Sequence, residues 1–391
     1  MKSSNNQYPL HSASKHFNAH LQLRFLPYLL LLAFGITIGV IISFYIKSCT
    51  FNLQFSQFSL SSLHKPMLPP IESPKLSNLS HVGLKEFIGP FHAMHGMSDE
   101  ELLWRASMTP KIHEYPFDRV PKVAFLFLVR GPVPLAPLWQ KFFKGHKGYY
   151  SIYVHSNPSY IGSDPESPVF HGRRIPSKKV EWGKFNMIEA ERRLLANALL
   201  DFSNQRFVLI SESCIPLFNF STIYSYLMNS TQNYVMAYDE PSAVGRGRYN
   251  IHMSPMVTLE QWRKGSQWFE MDRDLALEVV SDRTYFPVFQ EYCKKSCYAD
   301  EHYLPTFVSI KFWERNSNRS LTWVDWSKGG LHPAKFVRPE ITVEFLENLR
   351  NQKCEYNGNS TDVCFLFARK FLPPSLTRLM RFAPRVMHFH L

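Results

Sequence analysis

The sequence of 391 residues lacks several catalytic signatures that are easy to recognise. It contains no glycine-rich phosphate loop, no Gly-x-Gly-x-x-Gly dinucleotide fingerprint and no lipase-type Gly-x-Ser-x-Gly. Its formal net charge is +12, but the basic residues form no dense tract and no nucleic-acid-binding motif is present. These absences argue against a P-loop enzyme, a dinucleotide-binding dehydrogenase, a lipase-type hydrolase and a nucleic-acid-binding protein.

Charge is also missing from one long stretch near the N-terminus. Residues 25–46, FLPYLLLLAFGITIGVIISFYI, lie between Arg24 and Lys47 and contain no charged side chain. About 20 apolar residues are needed to cross a bilayer, and a cleaved signal peptide has a shorter apolar region. We therefore expect an uncleaved transmembrane signal anchor at 25–46. The basic residues before it favour a cytosolic tail at 1–24 and a lumenal C-terminal part.

Cysteine is scarce, and five of the six cysteines lie in the folded domain expected at 120–391. In an oxidising lumen they are disulfide candidates rather than zinc ligands, and the odd number leaves at least one unpaired within the chain. These candidates are Cys214, Cys293, Cys297, Cys354 and Cys364. Five Asn-x-Ser/Thr glycosylation sequons follow the span as well, at Asn78, Asn219, Asn229, Asn318 and Asn359.

Residues 47–119 have the composition of a stem. The stretch SQFSLSSLHKPMLPPIESPKLSNLS is rich in serine and proline and has no sustained apolar period, which is typical of a tether. Within the stem, SDEELLWRA predicts a short helix with Ser98 as its N-cap. The folded domain is expected at 120–391.

Strands and helices alternate in that domain. Apolar runs predict strands at 122–129, 149–155, 180–183, 206–211 and 234–238, and periodic segments predict helices at 186–201 and 219–228. The helix at 186–201 begins with a capping-box pattern of Asn186 and Glu189. Alternation of this kind predicts an α/β fold with a mainly parallel sheet sandwiched by helices. Ligands then bind beyond the C-terminal ends of the strands, where turns such as SESC and YDEP follow.

The stretch CYADEHYLP, residues 297–305, has three interpretations. Asp300 can cap the helix that follows, which is the commonest role for such a residue. Cys293, Cys297 and His302 have a spacing conceivable for zinc, although an oxidising compartment opposes free thiolates. Glu301 can act as a general base at the edge of the sheet.

Acidic and basic groups elsewhere could serve a phosphate-bearing substrate. The one Asp-x-Asp pair, Asp272 and Asp274, lies in a predicted amphipathic helix, whereas Asp239 and Glu240 follow a predicted strand and are better metal candidates. Without a metal, a leaving phosphate requires lysine or arginine. The basic candidates are Arg246, Arg248, Lys335, Arg338, Arg369 and Lys370.

Six segments, in order, resemble one enzyme family. They are VEWGKFNMIEAERRLLANALLD, RFVLISESCIPLFNF, WRKGSQWFEMDR, CYADEHYLPT, VDWSKGGLHPAKF and CFLFARKF. Together they resemble the core-2/I-branching β-1,6-N-acetylglucosaminyltransferase-like family, glycosyltransferase family 14, and most closely its plant-type branch. The resemblance covers about residues 120–372.

The resemblance implies a type II Golgi membrane protein with a lumenal GT-A-like catalytic domain. It implies transfer from a UDP-sugar to a glycan or glycoprotein hydroxyl, with inversion and with neither a metal nor another cofactor. N-acetylglucosamine, glucuronic acid and xylose are all compatible as the transferred sugar. By the family's motifs Glu301 is the general base and Lys370 binds the diphosphate. A metal-dependent transferase and a glycan-binding protein without activity are the alternatives.

Two positions depart from the animal members of the family. Thr361 stands where they have a diphosphate-binding arginine, with Arg369 as its possible replacement, and His155 stands where they have aspartate. Further candidates for the donor and acceptor sites are Asp300, Glu212 in the SESC turn, Trp262 and Trp268.

Overall fold

The computed structural model describes residues 35–38, 92–108, 110, 114–160, 167–294 and 297–389. By its internal contacts the chain divides into two compact units, Met1–Ser80 and His81–Leu391. In the first unit, residues 35–38 are helical. Every element below belongs to the second unit.

The described residues include no helix with both the length and the apolar character needed to cross a membrane. The signal anchor predicted at 25–46 lies outside these residues, apart from 35–38. The anchor and the cytosolic tail therefore stay predictions.

Strands and helices alternate through the first half of the domain, as the sequence predicts. The strands in the described residues are Lys122–Leu128 (β1), Tyr150–His155 (β2), Asn204–Ser211 (β3), Ile215–Pro216 (β4), Glu270–Asp272 (β5), Thr322–Val324 (β6), Cys354–Tyr356 (β7), Asn359–Thr361 (β8) and Phe367–Arg369 (β9). The α-helices there are Asp99–Ala106 (α1), Ala136–Phe143 (α2), Asn186–Leu199 (α3), Phe220–Asn229 (α4), Arg273–Ser281 (α5), Tyr285–Tyr292 (α6), Tyr303–Lys311 (α7), Val343–Arg350 (α8) and Leu376–Val386 (α9).

The central sheet has the strand order β2-β1-β3-β5. β1 pairs in parallel with β2 and β3, so that Phe125 lies opposite Ile152 and Val208, and β5 pairs antiparallel with β3. Residues 123–127 of β1 are fully buried. A parallel strand covered on both faces requires such a continuous apolar run. The arrangement is the predicted α/β sandwich, and it fits a GT-A-like fold.

Two predicted strands are not strands. Residues 180–183 form a turn. Residues 234–238 make isolated bridges with Glu270 and Lys264, and side-chain amides supply other partners. Asn316 Oδ1 accepts from the backbone N–H of Val235 at 3.0 Å, and Asn318 Oδ1 accepts from Ala237 at 2.7 Å. The apolar pattern correctly indicated a buried segment. The backbone N–H groups of Val235 and Ala237, however, donate to side chains rather than to a neighbouring strand.

The predicted capping box of α3 is also wrong. Phe185 is the N-cap residue and makes no side-chain cap. The Asn186 side chain instead accepts from the Glu181 N–H at 3.0 Å and donates to the Lys179 carbonyl at 3.3 Å. Asn186 therefore closes the preceding turn, which holds residues 180–183 in place.

Helix α1 confirms the predicted cap at Ser98. The Ser98 hydroxyl accepts from the Glu101 N–H at 3.2 Å, and the Glu101 carboxylate accepts from the Ser98 N–H at 2.8 Å. Leu102 and Ala106 are buried against the domain. The helix lies within the predicted stem, whose boundaries as such stay a prediction.

A small sheet, β4-β9-β6, follows the central one, and β7 and β8 form a hairpin. The hairpin turns at Asn357 and Gly358, both with positive φ, as an Asn-Gly turn requires. Disulfides join Cys354 to Cys364 and Cys293 to Cys297. Cys214 is the unpaired cysteine among those described, and it is buried.

Candidate active site

A cleft of about 690 Å³ opens at the C-terminal ends of the central strands. It is lined by Arg130 after β1, His155 at the end of β2 and Glu212 after β3. Parallel strands deliver their C-terminal ends to one edge of the sheet, which is where ligands bind in such folds. The sheet topology therefore places the cleft where the sequence predicts a ligand site.

Most of the predicted site residues meet in this cleft. Those that line it are His155, Glu212, Trp268, Asp300, Glu301, Arg369 and Lys370. Trp262 is not among the described residues that line it. The Trp262 ring is fully buried and stacks on His302, with 4.5 Å between ring centroids. Its contribution is to the packing beneath the site.

Glu301 reaches the cleft from a 3₁₀ turn at Ala299–Glu301. Its Oε2 atom lies 3.0 Å from Arg248 Nη1 and 3.7 Å from Lys264 Nζ. The side chain is 29% exposed, so it remains open to a substrate. Its backbone carbonyl accepts from the Gly265 N–H at 2.8 Å. A Cβ at residue 265 would lie 1.8 Å from the Met236 carbonyl oxygen, so only glycine permits this contact.

Asp300 lies beside Glu301 but is buried. Among the described residues its Oδ1 atom has no hydrogen-bond partner. Burial, and then the negative charge of Glu301, raise the pKa of Asp300 to about 7. Asp300 does not cap the next helix as predicted, because α7 starts after His302 and has no side-chain cap. The carboxyl group is instead available to the cleft.

His302 supports the turn from below. Its Nδ1–H donates to the Arg263 carbonyl at 2.9 Å, and burial lowers the pKa of His302 to about 3, so the ring is neutral. Cys293 and Cys297 are joined in a disulfide, which removes two of the three proposed zinc ligands. The zinc hypothesis is therefore wrong.

Arg369 and Lys370 give the cleft a cationic wall at the end of β9. The Arg369 guanidinium lies 3.8 Å above the centroid of the Trp268 ring. The Phe371 N–H donates to the Ser213 carbonyl at 2.9 Å, which ties this strand to the SESC turn. Burial, and then the neighbouring Arg369 charge, lower the pKa of Lys370. Two cations held this close favour an anionic ligand.

His155 is almost completely buried at the end of β2. Its Nε2 atom lies 3.1 Å from Arg193 Nη1 and 3.3 Å from the backbone N–H of Lys178. Burial, and then the Arg193 charge, lower the pKa of His155 to about 3. The imidazole is therefore neutral and accepts through Nε2. Sequence reasoning did not find Arg193, which reads as an ordinary charge on a helix.

Sequence reasoning also missed the hydrogen-bonded pair of Gln267 and Glu191. Gln267 lines the cleft, and its Nε2 donates to Glu191 Oε1 at 3.0 Å. Burial raises the pKa of Glu191 well above its ordinary value. Gln267 lies inside the segment WRKGSQWFEMDR, so a closer reading of that segment could have found it. Glu191 gives no local signal, because nothing in its helix shows that it is buried.

Three of the four acidic metal candidates are paired with arginine. Asp239 Oδ1 accepts from Arg246 Nε at 2.7 Å. Arg315 donates to Asp272 at 2.6 Å and to Asp274 at 3.2 Å. Asp272 also caps α5 and is not a solvated helix-face residue. Within the described residues that line the cleft, none of these three carboxylates is found.

Thr361 and four of the predicted glycosylation sites lie at or near the surface of the domain. Thr361 belongs to β8, beside the Cys354–Cys364 disulfide, and not to the lining of the cleft among the described residues. Asn229, Asn318 and Asn359 are exposed, and Asn219 is half-buried and caps α4. Asn78 lies outside the described residues. Glycosylation at these sequons stays a prediction.

Two comparisons with known proteins agree with this geometry. The family model described as Branch, Core-2/I-Branching enzyme, matches residues 123–350. Glycosyltransferase BC10 of Oryza sativa subsp. japonica is 36% identical over 297 residues, covering 64% of this chain and 73% of that protein. The matched range contains Glu301, whereas Arg369 and Lys370 follow its end.

Proposed function

Because the chain belongs to the Core-2/I-branching enzyme family of glycosyltransferases, we propose that it transfers one sugar from a UDP-sugar to a hydroxyl group of a glycan or glycoprotein. Transfer inverts the anomeric carbon and requires no metal ion. One observation carries the proposal. A single cleft is lined both by the carboxylate of Glu301 and by the cations Arg369 and Lys370.

Glu301 takes the proton from the acceptor hydroxyl group. The acceptor oxygen then attacks the anomeric carbon of the donor sugar from the face opposite the nucleotide. The bond between that carbon and the diphosphate oxygen breaks, and UDP leaves with the electron pair, which inverts the configuration. General base catalysis of this kind contributes about 10²–10⁴-fold to a rate. Arg248 and Lys264 hold the Glu301 carboxylate in position before reaction.

Arg369 and Lys370 stabilise the charge that develops on the leaving diphosphate. Positioned charges in a partly buried site are effective because they need little reorganisation during the reaction. The pKa of Lys370 is lowered by burial and by Arg369, and the negative charge of a bound diphosphate would raise it again. Trp268 supports the guanidinium of Arg369 from beneath. Arg369 and Lys370 thus supply the positive charge for the diphosphate that Thr361 does not supply at the position of the family's arginine.

The arginine partners of three of the four acidic candidates support transfer without a metal. Asp239, Asp272 and Asp274 are bound to arginine side chains rather than directed to a common site. We expect transfer to stay within two-fold when EDTA is added. Activity that EDTA abolishes and manganese restores would contradict this and favour the metal-dependent mechanism.

The transferred sugar is N-acetylglucosamine in the first instance, with glucuronic acid and xylose as the other donors to test. The protein acts in the Golgi lumen, as a single-pass type II membrane protein held by the predicted anchor at 25–46. Microscopy of the full-length chain with a C-terminal tag tests the location. A tag that protease removes from intact vesicles would contradict the lumenal orientation.

The test of function is a donor screen with the purified full-length chain and its Glu301→Gln variant. Hydrolysis and transfer are measured for UDP-N-acetylglucosamine, UDP-glucuronic acid and UDP-xylose. We expect one donor to be turned over and Glu301→Gln to lower kcat by about 10²–10⁴-fold. Glu344→Gln, an exposed position on α8, is the matched control. A Glu301→Gln activity within a few-fold of wild type excludes Glu301 as the base.

A further inference from the structure

Large apolar side chains surround the mouth of the cleft. Trp182 is 48% exposed, Trp326 is 51% exposed and Leu331 is 74% exposed, and all three line the cleft. Scattered exposed apolar residues are ordinary, whereas a group of them at one opening marks a binding surface. We call Trp182, Tyr298, Trp326, Leu331 and His332 the aromatic rim.

Trp182 is held in a fixed position. Its ring packs edge-on against Tyr298, with 5.1 Å between centroids, and lies 5.2 Å from the His332 ring. A Cβ at Gly183 would lie 2.9 Å from the Tyr298 ring, and Gly183 has a φ of +73°. Only glycine allows that close approach in this conformation. The chain thus preorganises Trp182 while leaving about half of its surface open.

A closed loop presents the other side of the rim. The Ala334 N–H donates to the Asp325 carbonyl, and the Gly329 N–H donates to the Trp326 carbonyl, each at 2.9 Å. Gly329 and Gly330 turn the tip of the loop with positive φ. The loop therefore carries Trp326, Leu331 and His332 to the opening.

The rim is connected to the proposed base. The Arg248 guanidinium lies 4.2 Å from the centroid of the Tyr298 ring and donates to Glu301 at 3.0 Å. A contact chain thus runs from Trp182 through Tyr298 and Arg248 to Glu301. A ligand that packs on the rim therefore lies in the same cleft as the residue that would activate the acceptor hydroxyl.

We propose that the aromatic rim binds sugar units of an extended, uncharged acceptor glycan beyond the unit that reacts. This inference rests on the proposed function and names the acceptor class. Sugar rings carry C–H groups on their faces and hydroxyl groups at their edges, so one face packs on an aromatic ring while the edges stay hydrated. Aromatic side chains offer a large contact area with few rotatable bonds, which makes such packing efficient.

Charge at this end of the cleft favours an uncharged chain. Lys264 and Arg248 are paired with Glu301, and Lys178 is paired with Asp99. Each of these cations has a carboxylate partner within the protein, although Arg248 and Lys264 share Glu301 and Lys178 shares Asp99 with Arg193. An acidic glycan would have to compete with Asp99 and Glu301 for them, whereas a neutral glycan needs only the ring faces.

The test measures binding of oligosaccharide ladders by calorimetry, with the purified full-length chain and UDP but no donor sugar. The neutral ladders are β-1,4-linked xylose and β-1,3-linked galactose of one to five units, and the acidic ladder is α-1,4-linked galacturonic acid. We expect at least one neutral ladder to gain tenfold or more in affinity between one and four units. Trp182→Ala and Trp326→Ala should remove most of that gain.

Trp313→Ala is the matched control, because Trp313 is 67% exposed and is absent from the described lining of the cleft. Trp182→Phe should restore part of the gain, and an unchanged unfolding temperature shows that the variants are folded. The inference fails if neither neutral ladder gains affinity with length, if both alanine variants keep the gain, or if galacturonate binds most tightly. The assay measures binding and involves no transfer. A protein without transferase activity can therefore still show the gain in affinity with length, whereas a rim that binds no sugar cannot.

Discussion

Arg193 binds both carboxylate oxygens of Asp99, with 2.8 Å from Nε to Oδ1 and 2.8 Å from Nη2 to Oδ2. The third nitrogen of the same guanidinium, Nη1, lies 3.1 Å from His155 Nε2. Helix α1 precedes the range that the family model matches, 123–350, yet it determines how Arg193 is oriented. A residue outside the matched domain is therefore linked to the cleft through two contacts.

Replacing Asp99 should affect both stability and donor binding. Asp99→Asn leaves the nearly buried guanidinium of Arg193 without its anionic partner. Breaking a fully buried pair costs about 3–5 kcal/mol, and because Asp99 is 28% exposed we expect roughly 1–3 kcal/mol here. The free energy of unfolding in urea measures this loss.

The same variant should raise the KM for the donor several-fold, because Arg193 no longer orients His155. Glu100→Gln, an exposed neighbour on α1, should change neither quantity. If Asp99→Asn lowers stability but leaves the donor KM unchanged, the ion pair of Asp99 and Arg193 has a structural role only.

Asp300 should make stability depend on pH. Its folded-state pKa is raised from 3.8 to about 7 by burial and by Glu301, so the folded state holds a proton that the unfolded state releases. The contribution is present below about pH 4 and is lost as pH rises toward 7.

Asp300→Asn should remove this dependence. The difference in the free energy of unfolding, variant minus wild type, should be about 1–3 kcal/mol larger at pH 8 than at pH 5. Each unit of pKa shift corresponds to about 1.4 kcal/mol. Urea unfolding at both pH values, with Glu100→Gln alongside, measures the difference. A difference that does not change with pH would show that Asp300 keeps an ordinary carboxyl environment.

Trp268 should contribute to donor binding through Arg369. Trp268→Leu keeps an apolar side chain but removes the ring that lies 3.8 Å below the guanidinium. Cation–π contacts of this kind contribute about 0.5–2 kcal/mol. We therefore expect UDP to bind roughly 3–20-fold more weakly, measured by calorimetry.

Lys370→Ala should weaken UDP binding as well, while Trp313→Leu should have no effect because Trp313 is not a described cleft residue. If Trp268→Leu binds UDP as wild type does, Arg369 does not depend on the ring for its position.

The Cys354–Cys364 disulfide should stabilise the domain without taking part in the reaction. It closes a loop with a sequence separation of 10 residues around the β7–β8 hairpin. For loops of this size a disulfide contributes about 2–4 kcal/mol. The double variant Cys354→Ser/Cys364→Ser should lower the unfolding temperature by several degrees while UDP affinity changes less than two-fold. A large loss of UDP affinity in the folded variant would instead connect the hairpin to the site.

Some elements followed from neighbouring residues alone. The unbroken apolar run of β1 identified a strand covered on both faces, and Ser98 with Glu101 identified the start of α1. The predicted strand at 234–238 and the predicted cap at Asp300 were wrong. At 234–238 the local pattern was compatible with two structures, and the distant side chains of Asn316 and Asn318 decided between them.

The sequence by itself determined the fold class, the family and the identity of Glu301 as the proposed base, because apolar periodicity and motif order are properties of the chain. Only the tertiary structure decided that Trp268 supports Arg369, that Asp99 acts through Arg193 on His155, and that Trp182 and Trp326 surround one opening. These relations join residues far apart in the chain. Burial, charge pairing and raised or lowered pKa values depend on what surrounds a side chain in space, and no local pattern records that.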